Sequence, residues 1–168
     1  ETFEILQAVT QRIAVVWPIH PRTRAMIGTH RFTERFAGLS NLTMIDPLGY
    51  IDFMKLVKES RVVLTDSGGI QEETTILGVP CLTLRENTER PEAIACGVAR
   101  LVGHSGERLS EMLEEANRED SWMRQVKQVT NPFGSGDSAQ RIADAIECAL
   151  NLPLDAKQEK VAVNELTS

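Results

Sequence analysis

Several things are scarce in this chain of 168 residues, and each scarcity removes a class of function. No apolar run is long enough to cross a bilayer and no signal-peptide pattern opens the sequence, so the expectation is a soluble cytoplasmic protein without a membrane partner. Basic charge is also short. The 18 Lys and Arg residues are scattered and are outnumbered by 24 Asp and Glu, for a net charge of −6, which argues against a nucleic-acid surface. That balance does not argue against a nucleotide, because a diphosphate is held by local N–H groups and one or two cations. Cysteine amounts to Cys81, Cys96 and Cys148, with no metal-ligand spacing and in apolar or helical surroundings. They read as reduced core thiols. Internal repeats and low-complexity tracts are missing too.

What is present suffices for one core, since 42% of the residues are hydrophobic. Residues 1–152 read as a single domain. Residues 153–168 are polar and charge-mixed, the composition of a disordered tail. Glu1 stands without an initiator Met inside an amphipathic pattern (Phe3, Ile5, Leu6, Val9), so a fragment or a truncated gene is expected.

Helix and strand patterns alternate, which predicts parallel strands joined by crossover helices. The expected strands are Ile13–Trp17, Leu42–Ile45, Arg61–Thr65, Pro80–Leu84 and Ala99–Val102. Helices are expected over 2–11, from about Thr23, and over Tyr50–Glu59 and Ile70–Leu77, with Glu107–Arg118, Trp122–Val129 and Ser138–Leu150 closing the chain. The fold class is therefore α/β, a Rossmann-like parallel sheet with helices on both faces. In such folds ligands bind outside the carboxyl ends of the strands.

At one such end stands Asp66-Ser67-Gly68-Gly69, between a β-branched run and a helix that Gly78 and Pro80 terminate. Ser67, Gly68 and Gly69 lie at a helix N-terminus, where unpaired N–H groups and the helix dipole favour an anion. Adjacent glycines let a phosphate approach without meeting a Cβ. The plain alternative is an ordinary tight turn with Ser67 as N-cap. At an earlier strand end, His20 sits between Pro18-Ile19 and Pro21. Its imidazole can donate to a phosphate oxygen or move a proton, and a surface or capping histidine is the plain alternative.

The string Thr65 to Glu73 (TDSGGIQEE), followed by Thr88 to Ala93 (TERPEA), resembles the hallmark of the non-hydrolysing UDP-N-acetylglucosamine 2-epimerases, in the C-terminal half of such an enzyme. Two strings at this spacing, with matches on both sides, make the resemblance specific over residues 1 to about 150. Asn131 to Asp137 is similar to the family's N-P-Y/F-G-x-G segment, although a glycine-rich helix-entry turn explains it as well.

The resemblance implies a nucleotide-binding domain, half of a two-domain glycosyltransferase-B-type architecture, acting on UDP and UDP-N-acetylhexosamine and needing no metal or redox cofactor. It implies that Ser67, Gly68, Gly69 and Arg90 grip the diphosphate, that Glu73 accepts the ribose hydroxyls, and that Leu48 and Phe53 receive the uracil. His20 matches the histidine of the family's P-x-H motif and becomes a catalytic candidate. The next positions depart from the Asn-Pro common there, so Arg22 inherits no role. Without the resemblance, Phe53 reads as helix core with Tyr50, Met54 and Val57, and Glu73 and Arg90 as solvated charges; Tyr50 stays with the core in either reading. Gln71, Glu72 and Glu92 receive no assignment. The carboxylates that move protons in the family belong to the missing N-terminal domain, so this chain alone is expected to be inactive. A homodimer of the full-length enzyme is compatible with the resemblance. The rival readings are a UDP-sugar glycosyltransferase of the same architecture and a stand-alone UDP-binding module.

Overall fold

The computed structural model describes residues 2–30, 32–115 and 121–150, so the tail from 153 and the end of the helix expected to reach Arg118 lie outside the described residues. The chain divides into two compact units at Phe133/Gly134. In the first, α1 (Thr2–Thr10) leads into β1 (Val15–Pro18), α2 (Pro21–Thr29), α3 (Thr33–Ala37) and β2 (Leu42–Ile45). Then come α4 (Tyr50–Glu59), β3 (Val63–Thr65), α5 (Gly68–Leu77), β4 (Cys81–Thr83), α6 (Pro91–Ala95), β5 (Ala99–Leu101), α7 (Gly106–Glu115) and α8 (Trp122–Gln125). A 3₁₀ turn, Val126–Gln128, replaces the last residues of the helix expected to reach Val129. The described part of the second unit holds α9 (Ser138–Leu150), with Ile142, Ile146 and Leu150 exposed one turn apart.

All strand pairings among the described residues are parallel, as alternation demands, and the fold is α/β and Rossmann-like. The strands fall into two groups among the described residues. β1 pairs with β2 in the register Pro18↔Ile45, while β3, β4 and β5 pair in that order, aligning Thr65, Thr83 and Leu101. Each strand is only three or four residues long, so the ladders stop early.

The main core gathers Ile5 and Val9 of α1, Leu82 of β4, Val98 and Val102 around β5, Leu109 and Leu113 of α7, and Trp122, Met123 and Val126. Burying each large apolar side chain contributes roughly 1.5–3 kcal/mol relative to exposure, which makes this cluster the platform for the β3–β4–β5 group. A second cluster, Cys81, Ala93 and Ala99, seats α6 beside β5. Phe36 of α3 packs edge-on to Phe3 at 5.2 Å and lies 5.9 Å from Trp17, tying α1, α3 and β1 together.

Two expectations about burial are corrected. Tyr50 is 64% exposed, because it is the first residue of α4 and sits outside the layer that buries Val57. Among the cysteines only Cys81 is a core thiol; Cys96 is half-buried and Cys148 is exposed. Burial pushes the Cys81 thiol up to about 11. No helix among the described residues is long and apolar enough to cross a membrane.

Candidate functional site

The residues singled out in the sequence stand at or beside the carboxyl ends of β1 to β4, in the first unit. After β3, the Ser67 backbone is extended and serves as the N-cap of α5. The helix starts at Gly68, two residues before the expected Ile70, and both glycines therefore belong to its first turn. The first bond of the helix is Gln71 N–H to the Ser67 carbonyl, which leaves the N–H groups of Gly68, Gly69 and Ile70 without helical partners. The Ser67 hydroxyl makes no capping bond, and its own N–H donates to the Thr65 hydroxyl at 3.0 Å. At its other end α5 closes on Gly78, whose φ of 65° is the left-handed conformation that glycine adopts at least cost.

Neither Gly68 nor Gly69 has a positive φ. A Cβ at Gly68 would lie 3.8 Å from the Arg90 Cζ, and one at Gly69 would be 3.9 Å from the Ser67 hydroxyl, both ordinary contact distances. Nothing in the folded chain thus requires glycine here, and glycine costs helix stability. Clear approach of a ligand to the bared N–H groups gives both positions a reason.

Arg90, beyond β4, reaches this turn. Its Nε donates to the Glu72 carboxylate and its Nη1 to the Glu89 carbonyl at 3.0 Å, while Cζ and Nη2 stand over Gly68. The Arg90 backbone is fixed independently. Its N–H donates to the Thr88 hydroxyl at 3.0 Å, and that hydroxyl donates to the Gln71 side-chain carbonyl at 2.7 Å. Gln71 is fully buried, and its side-chain nitrogen returns to the Ser67 carbonyl at 3.3 Å. Gln71, Glu72 and Thr88 are site residues that the sequence left without a role. The signal was their place in the two matched strings, but the string does not say which polar side chain turns inward.

Glu73, next to the paired Glu72, is half-buried and makes no ion pair or hydrogen bond with the described residues. His20 is exposed and caps α2: its Nδ1 accepts from the Arg22 N–H at 3.2 Å, with Pro21 in the first helical position. An Nδ1 that accepts leaves the neutral ring's proton on Nε2, a donor free of the cap. The β1 and β2 loops are joined by the Ile19 N–H to the Ile45 carbonyl at 3.0 Å and by Arg24 to Asp46 at 3.1 Å. Leu48 is exposed in the second of these loops, and Phe53 is half-buried on α4, which packs against α5.

The structure therefore brings Ser67, Gly68, Gly69 and Arg90 into one cluster, with Glu73 on the same helix. His20 and Leu48 lie in a neighbouring pair of loops, after β1 and β2. Cavities of about 420 Å³, beside β5 and α8, and about 780 Å³, between the C-terminal ends of α4 and α5, lie elsewhere. Neither is lined by a candidate residue. The cluster is instead an open face, with Ser67 and Gly69 exposed and Gly68 half-buried. Among the described residues no His, Cys, Asp and Glu grouping could hold a metal ion.

Residues 1–147 match the family model described as UDP-N-acetylglucosamine 2-epimerase. The UDP-N-acetylglucosamine 2-epimerase of Methanocaldococcus jannaschii is 40% identical over 141 residues, which is 83% of this chain and 36% of that protein. The chain thus spans little more than a third of that relative's length. A crystal structure of the Methanocaldococcus jannaschii enzyme in complex with UDP-GlcNAc and UDP superposes with a TM-score of 0.71 at 38% identity, covering 86% of this chain and 38% of that one. The Staphylococcus aureus MnaA–UDP co-structure gives a TM-score of 0.74 at 31% identity, covering 90% and 42%.

Proposed function

This chain belongs to the UDP-N-acetylglucosamine 2-epimerase family, and we propose that it is the nucleotide-binding half of an enzyme that interconverts UDP-GlcNAc and UDP-ManNAc. The observation that carries the proposal is the convergence of three unpaired α5 N–H groups, the free Ser67 hydroxyl and the Arg90 guanidinium on one exposed turn. Such donors suit a diphosphate: the N–H groups are preoriented by the helix, and a planar guanidinium adds charge with fixed geometry. The unpaired Glu73 carboxylate, farther along the same helix, accepts from the ribose hydroxyls. Leu48 and Phe53 take the uracil, with a backbone edge for its hydrogen bonds and an aromatic face for stacking.

The reaction runs by elimination and addition. A base removes the C2 proton of the sugar, the C1–O bond breaks, and UDP departs with the electron pair to leave a 2-acetamidoglucal. UDP then re-adds at C1 while C2 receives a proton on the opposite face. This chain stabilises the charge that develops on the departing diphosphate, the term that preorganised donors supply best. In this reading the Nε2–H of His20, free of the cap, is a further donor to the diphosphate. The proton-transfer carboxylates belong to the remainder of the protein, an N-terminal domain that closes the other side of the cleft in a glycosyltransferase-B-type arrangement. We extend the proposal to a homodimeric full-length protein working in the cytoplasm.

Calorimetric titration of the chain with UDP, with and without EDTA, tests the binding half of this reading. Metal-independent binding with a preference for uridine over purine nucleotides is expected; dependence on magnesium or a purine preference overturns it. Acceptor-free epimerisation by the full-length protein tests the reaction and separates it from sugar transfer.

A further inference from the structure

Arg90 is useful to a diphosphate only if its guanidinium stays over the α5 turn, and a partly exposed arginine has four side-chain torsions with which to leave it. Two consecutive residues of α5 oppose that freedom. Gln71, through Thr88, holds the Arg90 backbone, and the Glu72 carboxylate accepts from the guanidinium Nε. A bond to Nε uses the inner edge of the fork. Nη1 is occupied by the Glu89 carbonyl, so Nη2 is the part left over Gly68, facing the turn whose N–H groups are unpaired.

A carboxylate at this place is otherwise a liability. It sets a negative charge within the reach of an arginine whose proposed ligand is itself an anion, and the repulsion weakens binding. Neither the packing of α5 nor its capping calls for an acid here, because Glu72 is half-exposed and lies beyond the first turn. Orientation of Arg90 is the role the geometry leaves. We propose that Glu72 is a positioning residue for the diphosphate site: it acts through Arg90, making the arginine a fixed part of the helix that carries the Ser67-Gly68-Gly69 turn. The inference rests on the diphosphate reading above.

The test compares UDP with uridine, which share the base and ribose and differ in the diphosphate, against the wild-type chain, Glu72→Ala, Glu72→Gln and Arg90→Ala, by NMR titration with thermal melts alongside. Glu72→Ala is expected to weaken UDP about tenfold, the loss of one oriented charge-assisted contact, and to leave uridine affinity nearly unchanged. Glu72→Gln keeps an oxygen that accepts from Nε and removes the repelling charge, so it should bind UDP as tightly as wild type or more tightly. In an Arg90→Ala background, Glu72→Ala should have no further effect. The inference is overturned if Glu72→Ala tightens UDP binding, if it weakens UDP and uridine by the same factor, or if its effect survives the loss of Arg90. Should Glu72→Ala not fold, Glu72→Gln together with Arg90→Ala still decides: a Gln variant as weak as the Arg90 variant overturns it. A wild-type chain with no preference for UDP over uridine overturns the diphosphate reading and this inference together, whereas a strong wild-type preference untouched by Glu72→Ala overturns this inference alone.

Discussion

The Thr88 hydroxyl donates to the buried Gln71 side-chain carbonyl at 2.7 Å, joining the helix that bears the glycine turn to the segment that bears Arg90. The same hydroxyl accepts from the Arg90 N–H, so one side chain satisfies two groups. Gln71→Leu keeps the volume but strands the hydroxyl, and should cost about 1–3 kcal/mol of stability. Combining it with Thr88→Val should cost less than the sum of the two changes. Urea unfolding of the four proteins gives the coupling, and strict additivity would show that the pair is independent.

Gly69→Ala separates the needs of the fold from those of the ligand. The backbone conformation suits alanine and the nearest atom is a flexible hydroxyl, so the variant should be more stable by about 0.4–1 kcal/mol. UDP affinity should nonetheless fall, because the new methyl group stands where the diphosphate approaches. A variant that gains stability and binds UDP normally removes the steric reason for glycine.

His20 has a local duty as an N-cap, so His20→Ala should lower stability by about 0.5–1 kcal/mol. Asparagine is a better cap than alanine and has no imidazole. His20→Asn should therefore restore most of the stability while turnover in the full-length enzyme stays about 10²-fold down. Thermal melts of the chain and steady-state kinetics of the full protein provide the two readouts. Normal turnover in the Asn variant would leave His20 with capping alone.

Glu72 pairs with Arg90, whereas its neighbour Glu73 makes no ion pair or hydrogen bond with the described residues, and their variants should differ in kind. Glu73→Ala is expected to weaken UDP by about 1.5–3 kcal/mol, the range for a hydrogen bond to a charged group. Its effect on 2′-deoxy-UDP should be smaller, since one of the hydroxyls it serves is gone. An unchanged affinity ratio between the two nucleotides would take Glu73 away from the ribose.

The buried Cys81 thiol links stability to alkaline pH. Its folded value of about 11 exceeds the ordinary 9.0, so the thiol is the form the fold favours. Its contribution is fully present below pH 9 and is lost as pH rises from 9 toward 11. The loss, on the order of 2–3 kcal/mol at most, should be missing from Cys81→Ala, whose stability is lower at pH 7 but falls less steeply over that window. Denaturant midpoints for both proteins from pH 7 to 11 make the comparison, and parallel curves would contradict it.

Some of this molecule was settled by the order of its residues. The bounds of β2, α4 and α9, the N-cap position of Ser67 and the stop of α5 at Gly78 follow from β-branched runs, helix periodicity and glycine, which act over a few residues. The resemblance of two short strings was likewise enough to name the family. Other features waited for tertiary structure. α3 was not foreseen, because Thr33–Ala37 is short and gains its stability by packing Phe36 between Phe3 and Trp17. The burial of Gln71, the exposure of Tyr50 and the grouping of the strands into two sets depend on which surface each residue meets after folding. Arg90 and Glu72 stand eighteen positions apart, and no local pattern pairs them. Propensity is a property of a segment, whereas the environment of a side chain is a property of what packs against it; the first could be read from the chain, and the second required the fold.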